Sequence, residues 1–530
     1  MFDLLFRNAL LVDGTGAPPR PADVGVEKGR IAAVGDRLAS EAATVVELDG
    51  LVLAPGFIDL HTHSDYWHLV EPFSLSKLHE GVTTDVSGNC GFSPFPLDET
   101  ARAREAARWK PLGVTVDWSD FASYRRRCEQ VGLGINHAFF VGHGALRAHV
   151  VGHVDRPATA SELGRMKELL ARELNAGAIG LSTGLIYAPG CFAGREEIAS
   201  LCEVVVRRGG LYASHIRGEG ATLLEAIQEA LWICQESGVR TQISHLKASR
   251  PQNWPKLDRA LALIEYAQSE GLPVMADRYP YEATSAGVDQ LLPEWAYEGG
   301  LQAELARLDE PRAVHRIREE MAHKFDADYY SRVQIADAAG HPELNGRRLD
   351  EFAAERGLEP DLAVFELLRL TQGRCECVYF VLSEQNMRRV LSREYVMVAS
   401  DAEARATVGP ASQGLPHPRA YGTFARVLGR LSRDEGLFPL EEAVRKMTSL
   451  SADQLGLTDR GRIAPGLAAD LASFDPARIL DRATYTDPHR YSEGVVHVVV
   501  NGRLVLRDGQ PTGERPGRIL TAKGPARPAA

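Results

Sequence analysis

The sequence predicts an α/β protein in which a TIM-type (β/α)8 barrel carries a small β-sandwich built from both chain ends. Between residues 55 and 450, short apolar runs alternate eight times with stretches that include long Ala-, Leu- and Glu-rich segments, as strands alternate with helices in a closed barrel. Residues 1–54 and 451–515 are instead short β-forming runs divided by Gly, Pro and Asp, an all-β pattern. Neither end has many strands alone, so the two are expected to pair.

The N-terminal strands are expected at 4–6, 9–12, 24–26, 31–34 and 44–46, and the pattern breaks at Ala54-Pro55-Gly56. Barrel strands follow at 57–60, 83–86, 136–141, 178–182, 211–214, 241–244, 273–277 and 395–400, with helical stretches at 161–175, 195–208, 221–237 and 256–270. Between the seventh and eighth strands, residues of about 290–390 are helical in character and are expected to form a lid-like insertion. Strands return at 471–474, 495–500 and 504–506. Asn501-Gly502 between the last two suits the positive-φ positions of a type I′ hairpin. Residues 516–530 are expected to be an extended tail.

Hydrophobic residues make up 44% and charged residues 25% of the 530, the balance of a soluble globular chain, and the length calls for two or three domains. A net charge of −11 leaves no excess of cations to neutralise phosphates, which argues against nucleic acid or an anionic membrane as a partner. No run approaches the ~20 apolar residues of a membrane span. The N-terminus is charged too early for a signal peptide, so a cytoplasmic location is expected. Seven scattered cysteines make no disulfide framework, and Cys375 and Cys377, among β-formers, read as packing.

His61 and His63 follow the first barrel strand at a spacing that points both side chains to one side. Two polar residues at a strand end would account for the pair equally well, so the other strand ends decide. Cys90 follows the second, His215 the fifth, His245 the sixth and Asp401 the eighth. Each alone has an ordinary core role, Cys90 as a small hydrophobe and each histidine as a satisfied core residue. All six at one barrel mouth point to a metal site, where imidazole and thiolate favour Zn2+ over Mg2+ or Ca2+.

With these residues in view, the chain resembles the amidohydrolase superfamily, and within it the D-aminoacylase (N-acyl-D-amino-acid deacylase) family. The resemblance covers nearly the whole chain. It runs through Gly56-Phe-Ile-Asp-Leu-His-Thr-His-Ser-Asp65, Gly88-Asn-Cys-Gly-Phe-Ser93, Gly142-His-Gly-Ala-Leu-Arg147, Ser214-His-Ile-Arg217, Ile243-Ser-His-Leu-Lys247 and His417-Pro-Arg-Ala-Tyr-Gly-Thr-Phe-Ala-Arg426. The Asn-Cys-Gly-Phe-Ser segment is the specific part, because hydantoinases and dihydroorotases bridge their metals with a carboxylated lysine instead.

The resemblance implies a metal-dependent hydrolase barrel that acts on a small-molecule substrate, an N-acyl-D-amino acid, and releases a carboxylate and a free D-amino acid. It implies one tight Zn2+ on Cys90, His215 and His245. A weaker second position is lined by His61, His63 and Asp401, with Asp401 as general base and acid. Lys247, Tyr187, Tyr279, Ser285 and Arg419 match positions expected to orient the substrate and its carboxylate. Two departures stand out: a long loop at 402–416, and Arg278 beside Tyr279, which either alters side-chain preference or points into the helix layer. A cyclic-amide hydrolase should have a lysine at the end of the fourth strand, where this chain has Ser182-Thr183-Gly184. A non-catalytic scaffold should have lost ligands, and all six are present.

Overall fold

The computed structural model describes residues 1–38 and 41–521. Eight barrel strands run in order as Phe57–Asp59, Val82–Ser87, Asn136–Phe139 continued by Val141–Gly142, Gly180–Gly184, Leu211–His215, Arg240–Ile243, Val274–Arg278 and Val396–Val398. The ladders between them are parallel. The ring closes from eighth to first strand, where Asp401 N–H donates to His61 O at 2.8 Å and His63 N–H to Ala402 O at 3.2 Å. Ile58, Leu60, Val86, Ala138, Met397 and Ala399 fill the interior. Successive side chains along the seventh strand alternate between layers: Met275 packs against this interior cluster, whereas Val274 and Ala276 belong to the core shared with the helices.

The helices Ala160–Ala176, Arg195–Val206, Leu223–Ser237 and Leu257–Ser269 stand where the long amphipathic stretches lie. The first begins at a Thr159/Glu162 capping box and stops at Gly177, whose φ of 117° is open to glycine. No helix among the described residues is long and apolar enough to cross a membrane.

Both chain ends enter one nine-stranded sheet. Its seam is the antiparallel pairing of Val52–Pro55 with Leu471–Phe474, a strand at the point where sequence reading saw only the break at Ala54-Pro55-Gly56. The long strand Phe2–Leu11 pairs along one edge with Ala42–Glu47 in its first half and with Val52–Pro55 in its second. Phe6, Val24, Leu53, Leu471 and Val499 pack together in its core. Asn501 at φ 48° and Gly502 at φ 79° make the expected hairpin turn. The chain then runs beside the start of the third barrel strand: Gly517 N–H donates to Leu133 O and Leu520 N–H to His137 O, each at 2.7 Å. Of the expected extended tail, residues 522–530 lie outside the described residues.

The insertion holds the helices Leu301–Arg307, Pro311–Lys324, Leu349–Arg356, Pro360–Thr371 and Glu384–Leu391, but it is not helical throughout. Thr284–Gly287, Cys375–Tyr379 and Val333–Ala338 form a three-stranded antiparallel sheet in that order. Val333 and Ile335, and Cys375, Cys377 and Tyr379, recur at a period of two on the side that packs into the insertion's own core, a strand signal within a largely helical stretch. The insertion meets loops that follow the C-terminal ends of barrel strands. Arg250 N–H donates to Val381 O at 2.8 Å, Gly299 N–H to His153 O at 2.7 Å, and Leu415 N–H to Ala336 O at 2.6 Å.

Candidate metal centre

The strand ends bring the ligand-type residues together. One donor atom from each of His61, Cys90, His245 and Asp401 lies within 4.8 Å of the others, and His215, Glu219 and His245 make a second such group. Cys90 Sγ is 3.3 Å from His61 Nε2 and 3.6 Å from His245 Nε2. Asp401 Oδ1 is 3.1 Å from His63 Nε2 and 3.3 Å from His61 Nε2. The rings of His215 and His245 meet edge-on at 4.4 Å between centroids. Cys90 lies between His61 and His245, with His215 also acting on its thiol, and His245 is common to both groups.

Three of these residues hold left-handed backbone conformations, with φ of 52° at Cys90, 37° at His245 and 54° at Asp401. Such conformations cost non-glycine residues ~1–3 kcal/mol each and persist where the surroundings over-determine them. The chain just before Asp401 shows how this is done. Lys77 Nζ donates to Asp59 Oδ2 at 2.7 Å and to Ser400 Oγ at 2.8 Å, while Asp59 Oδ1 accepts Ser400 N–H at 2.9 Å. Ser400 Oγ in turn accepts Ala402 N–H at 3.2 Å. The residues on either side of Asp401 are thus tied to the first strand.

The electrostatics suit a bound cation. Burial opposes ionisation of the Cys90 thiol, but the imidazoles of His61, His215 and His245 outweigh it and hold the thiol well below its ordinary range. Burial likewise opposes ionisation of Asp401, and the Arg419 guanidinium, followed by His245 and His61, holds its carboxyl well below the usual carboxylate range. His215 is pushed down by burial and by His245, and neither of its ring nitrogens has a hydrogen-bond partner among the described residues. A neutral imidazole with a free nitrogen beside a thiolate, further imidazoles and a carboxylate is the donor set of a transition-metal site.

Two carboxylates missed by sequence reading support the ligands. Asp277 lies 3.2 Å from His61 Nδ1, accepts His245 N–H at 2.8 Å and accepts from Gln242 Nε2 at 2.9 Å. A carboxylate behind a ligand imidazole sets its ring orientation and tautomer. Its place was available from alternation, since Met275 and Asp277 share the inner side of the seventh strand. Glu219, four residues beyond His215, lies 3.0 Å from His245 Nδ1 and forms an ion pair with Lys247. No local periodicity marks it.

The expected substrate-orienting residues fall in several places. Lys247 does lie beside His245, at 2.8 Å from its Nδ1, but its ammonium is paired with Glu219 and not left free for a substrate carboxylate. Buried cations require a counter-charge, and Lys247 is 4% exposed. Arg419, equally buried, donates to Asp401 Oδ2 at 2.7 Å and stands 4.8 Å over the Tyr279 ring. Tyr279 is fully buried, and its hydroxyl has no partner among the described residues. The Tyr187 ring stands edge-on to His215 at 5.0 Å. Ser285 lies on the inserted sheet and donates to Cys377 O at 3.1 Å. Arg278 follows the outward phase of its strand, lies beside Leu246, Met387 and Val390, and donates to Tyr281 O at 2.8 Å. Its guanidinium nevertheless stands 4.0 Å over the Tyr279 ring, so it faces the helix layer and touches the expected substrate-side tyrosine as well.

Four imidazoles, a thiol and a carboxylate gathered at the mouth of a (β/α)8 barrel define a metal-dependent hydrolase. A model described as the amidohydrolase family matches residues 44–506, and the chain belongs to that family and, within it, to the D-aminoacylases. It is 38% identical over 521 residues to the D-aminoacylase of Alcaligenes xylosoxydans xylosoxydans, covering 98% of this chain and 97% of the relative. The crystal structure of N-acyl-D-glutamate deacylase from Bordetella bronchiseptica, complexed with zinc and a phosphonate mimic of the tetrahedral intermediate, superposes with a TM-score of 0.84. The identity is 34%, with 98% of this chain and 100% of that one covered. A D-aminoacylase studied for its binuclear metal centre, with one-metal activation and second-metal attenuation, superposes equally well at 0.84, with 37% identity over 98% of this chain and 100% of that one.

Proposed function

We propose that this chain hydrolyses the amide bond of N-acyl-D-amino acids in a zinc-dependent reaction, with one tight metal position and a weaker second one. The observation that carries the reading is the convergence of His61, Cys90, His245 and Asp401 within 4.8 Å in a chain similar over its length to such deacylases. Cys90, His215 and His245 would hold the tight zinc, and His61, His63 and Asp401 would line the second position. When bound, zinc supplies a Lewis acid that polarises the amide carbonyl and lowers the pKa of water to about 7.

The chain's own groups supply the rest. Arg419 holds one carboxylate oxygen of Asp401 and keeps the group ionised. Asp401 then takes the proton of the attacking water and returns it to the leaving nitrogen, which an amine leaving group requires. Arg419 and Tyr279, side by side, meet the substrate's carboxylate, with Ser285 on the opposing sheet and Tyr187 against His215. Lys247 acts through Glu219 and His245. Pinning the acyl carbonyl at one end and the carboxylate at the other fixes which Cα substituent faces the insertion, and so selects the D enantiomer.

The test pairs elemental analysis with kcat/KM for N-acetyl-D-leucine, N-acetyl-L-leucine and N-acetyl-D-leucinamide. About one zinc per chain is expected, with turnover of the D acid and ~2–4 kcal/mol less transition-state stabilisation for its amide. Preference for the L form, or activity without any transition metal, would overturn the proposal.

A further inference from the structure

The side of the inserted sheet away from the insertion's core carries a row of acids across its strands. In its middle strand, Glu376 stands opposite Gly287 on one neighbour and opposite Asp337 on the other. Directly opposed residues of antiparallel strands share a face, and a bulge between Ile335 and Asp337 turns Asp337 away from the core side. Glu376 and Asp337 therefore lie on the face that holds Ser285 and Val378, away from Cys375, Cys377 and Tyr379. Gly287 leaves room for a third carboxylate, because a Cβ there would fall 2.2 Å from Asp289 Oδ1.

A fourth acid reaches this place from the metal centre. Glu403, two residues beyond Asp401, is the foremost charge acting on Glu376 and also feels His63 and Arg419. Glu376 in turn acts on Tyr187, whose ring rests on His215. In the loop that joins Asp401 to Arg419, Leu415 N–H donates to Ala336 O at 2.6 Å and a Cβ on Gly414 would fall 2.8 Å from Asp337 Cβ, so this face of the sheet borders the metal centre. That a ligand enters here is marked independently by Tyr279, fully buried with an unpartnered hydroxyl under the Arg419 guanidinium.

Like charges opposed in a ladder destabilise a sheet, and the cations nearby do not remove the excess. Arg405 is 3.6 Å from Glu403 and lies over the Trp67 ring. Arg108 acts on Glu376, and Arg405, then Arg374, act on Asp337. Glu376 is exposed to solvent along the sheet face, yet crowding by the surrounding protein, then Glu403 and Asp289, push it up to about 7. Burial raises Asp289 and Asp337 as well.

We propose that the site takes an N-acyl-D-amino acid with a cationic side chain, an ammonium or guanidinium seated against Glu376, Asp337 and Asp289. The inference rests on the deacylase reading above and names the substrate class of the same site. A cation there relieves the opposed carboxylates, while the substrate's carboxylate lies at the other end of the site, by Arg419 and Tyr279.

The experiment compares kcat/KM for N-acetyl-D-arginine, N-acetyl-D-citrulline, N-acetyl-D-leucine and N-acetyl-D-glutamate on the zinc-loaded enzyme. Citrulline matches arginine in shape and lacks its charge. Arginine is expected to exceed citrulline about tenfold, the scale of one charge-assisted contact, with glutamate the poorest. Glu376→Gln and Asp337→Asn should each shrink the arginine-to-citrulline ratio. Equal rates for arginine and citrulline in the wild type overturn the inference, as does a ratio that neither variant changes. Brisk turnover of leucine with no preference for arginine overturns it while leaving the deacylase reading standing. Failure on all four substrates overturns both.

Discussion

Lys77→Met isolates the device that holds Asp401 in place. Lys77 and Asp59 are both fully buried, and the ammonium meets one Asp59 oxygen at 2.7 Å while the other oxygen accepts Ser400 N–H. Methionine keeps the apolar stem and removes the charge, stranding the Asp59 carboxylate with Asp85 as a like-charged neighbour. Breaking one partner out of a buried pair costs ~3–5 kcal/mol. Neither group reaches solvent, so the screening that weakens surface pairs does not reduce the figure. Adding Asp59→Asn removes the stranded charge, and the double variant is expected to recover ~2 kcal/mol or more. Urea unfolding of the wild type, both single variants and the double variant reads these terms, and kcat should fall alongside because Ser400 loses its anchor. A loss under ~1 kcal/mol for Lys77→Met, or a double variant that merely adds the single losses, would refute the reasoning.

Asp401→Asn should keep its metal and lose about a hundredfold or more in kcat, and near-normal turnover with full metal would exclude Asp401 as the base. Cys90→Ser should lose the tight metal, because a serine hydroxyl stays protonated where the thiol ionises; full occupancy by elemental analysis would contradict this. Burial pushes Glu80 up to about 8, against the downward pull of Lys77 and the Phe424 N–H. The folded chain therefore keeps a proton that the unfolded chain releases above 4.5, and stability falls as pH rises from there to about 8. Glu80→Gln removes that titration, so its Tm should vary less than the wild type's between about pH 5 and 8. Identical slopes in thermal melts would count against it.

The barrel and the places of its ligand-type residues were legible because each lies just beyond a short apolar run, where alternation and strand ends constrain position. Asp277 was equally legible but sat inside a run read only for its hydrophobicity. Glu219 was not, because its meeting with Lys247 depends on how two loops from adjacent strands approach each other. The roles first given to Lys247 and Arg419 came from matching cations to a substrate carboxylate. Burial decided otherwise for Lys247, whose counter-charge Glu219 lies inside the protein, whereas Arg419 holds Asp401 and still borders the proposed substrate end of the site. The inserted sheet was hidden by the helices around it, although its strands alternate. The phase of its own strand gave Arg278 its outward direction but not its packing on the Tyr279 ring.

The seam between Val52–Pro55 and Leu471–Phe474 sets a schedule for synthesis. The N-terminal strands leave the ribosome first, yet the edge at Val52–Pro55 has no partner until the entire barrel has been translated. Contacts of such separation form slowly and leave strand edges open to other chains meanwhile. Residues 517–520, which cover the start of the third barrel strand, arrive later still. A premature stop codon anywhere ahead of residue 471 would therefore leave that edge bare, however complete the barrel already made.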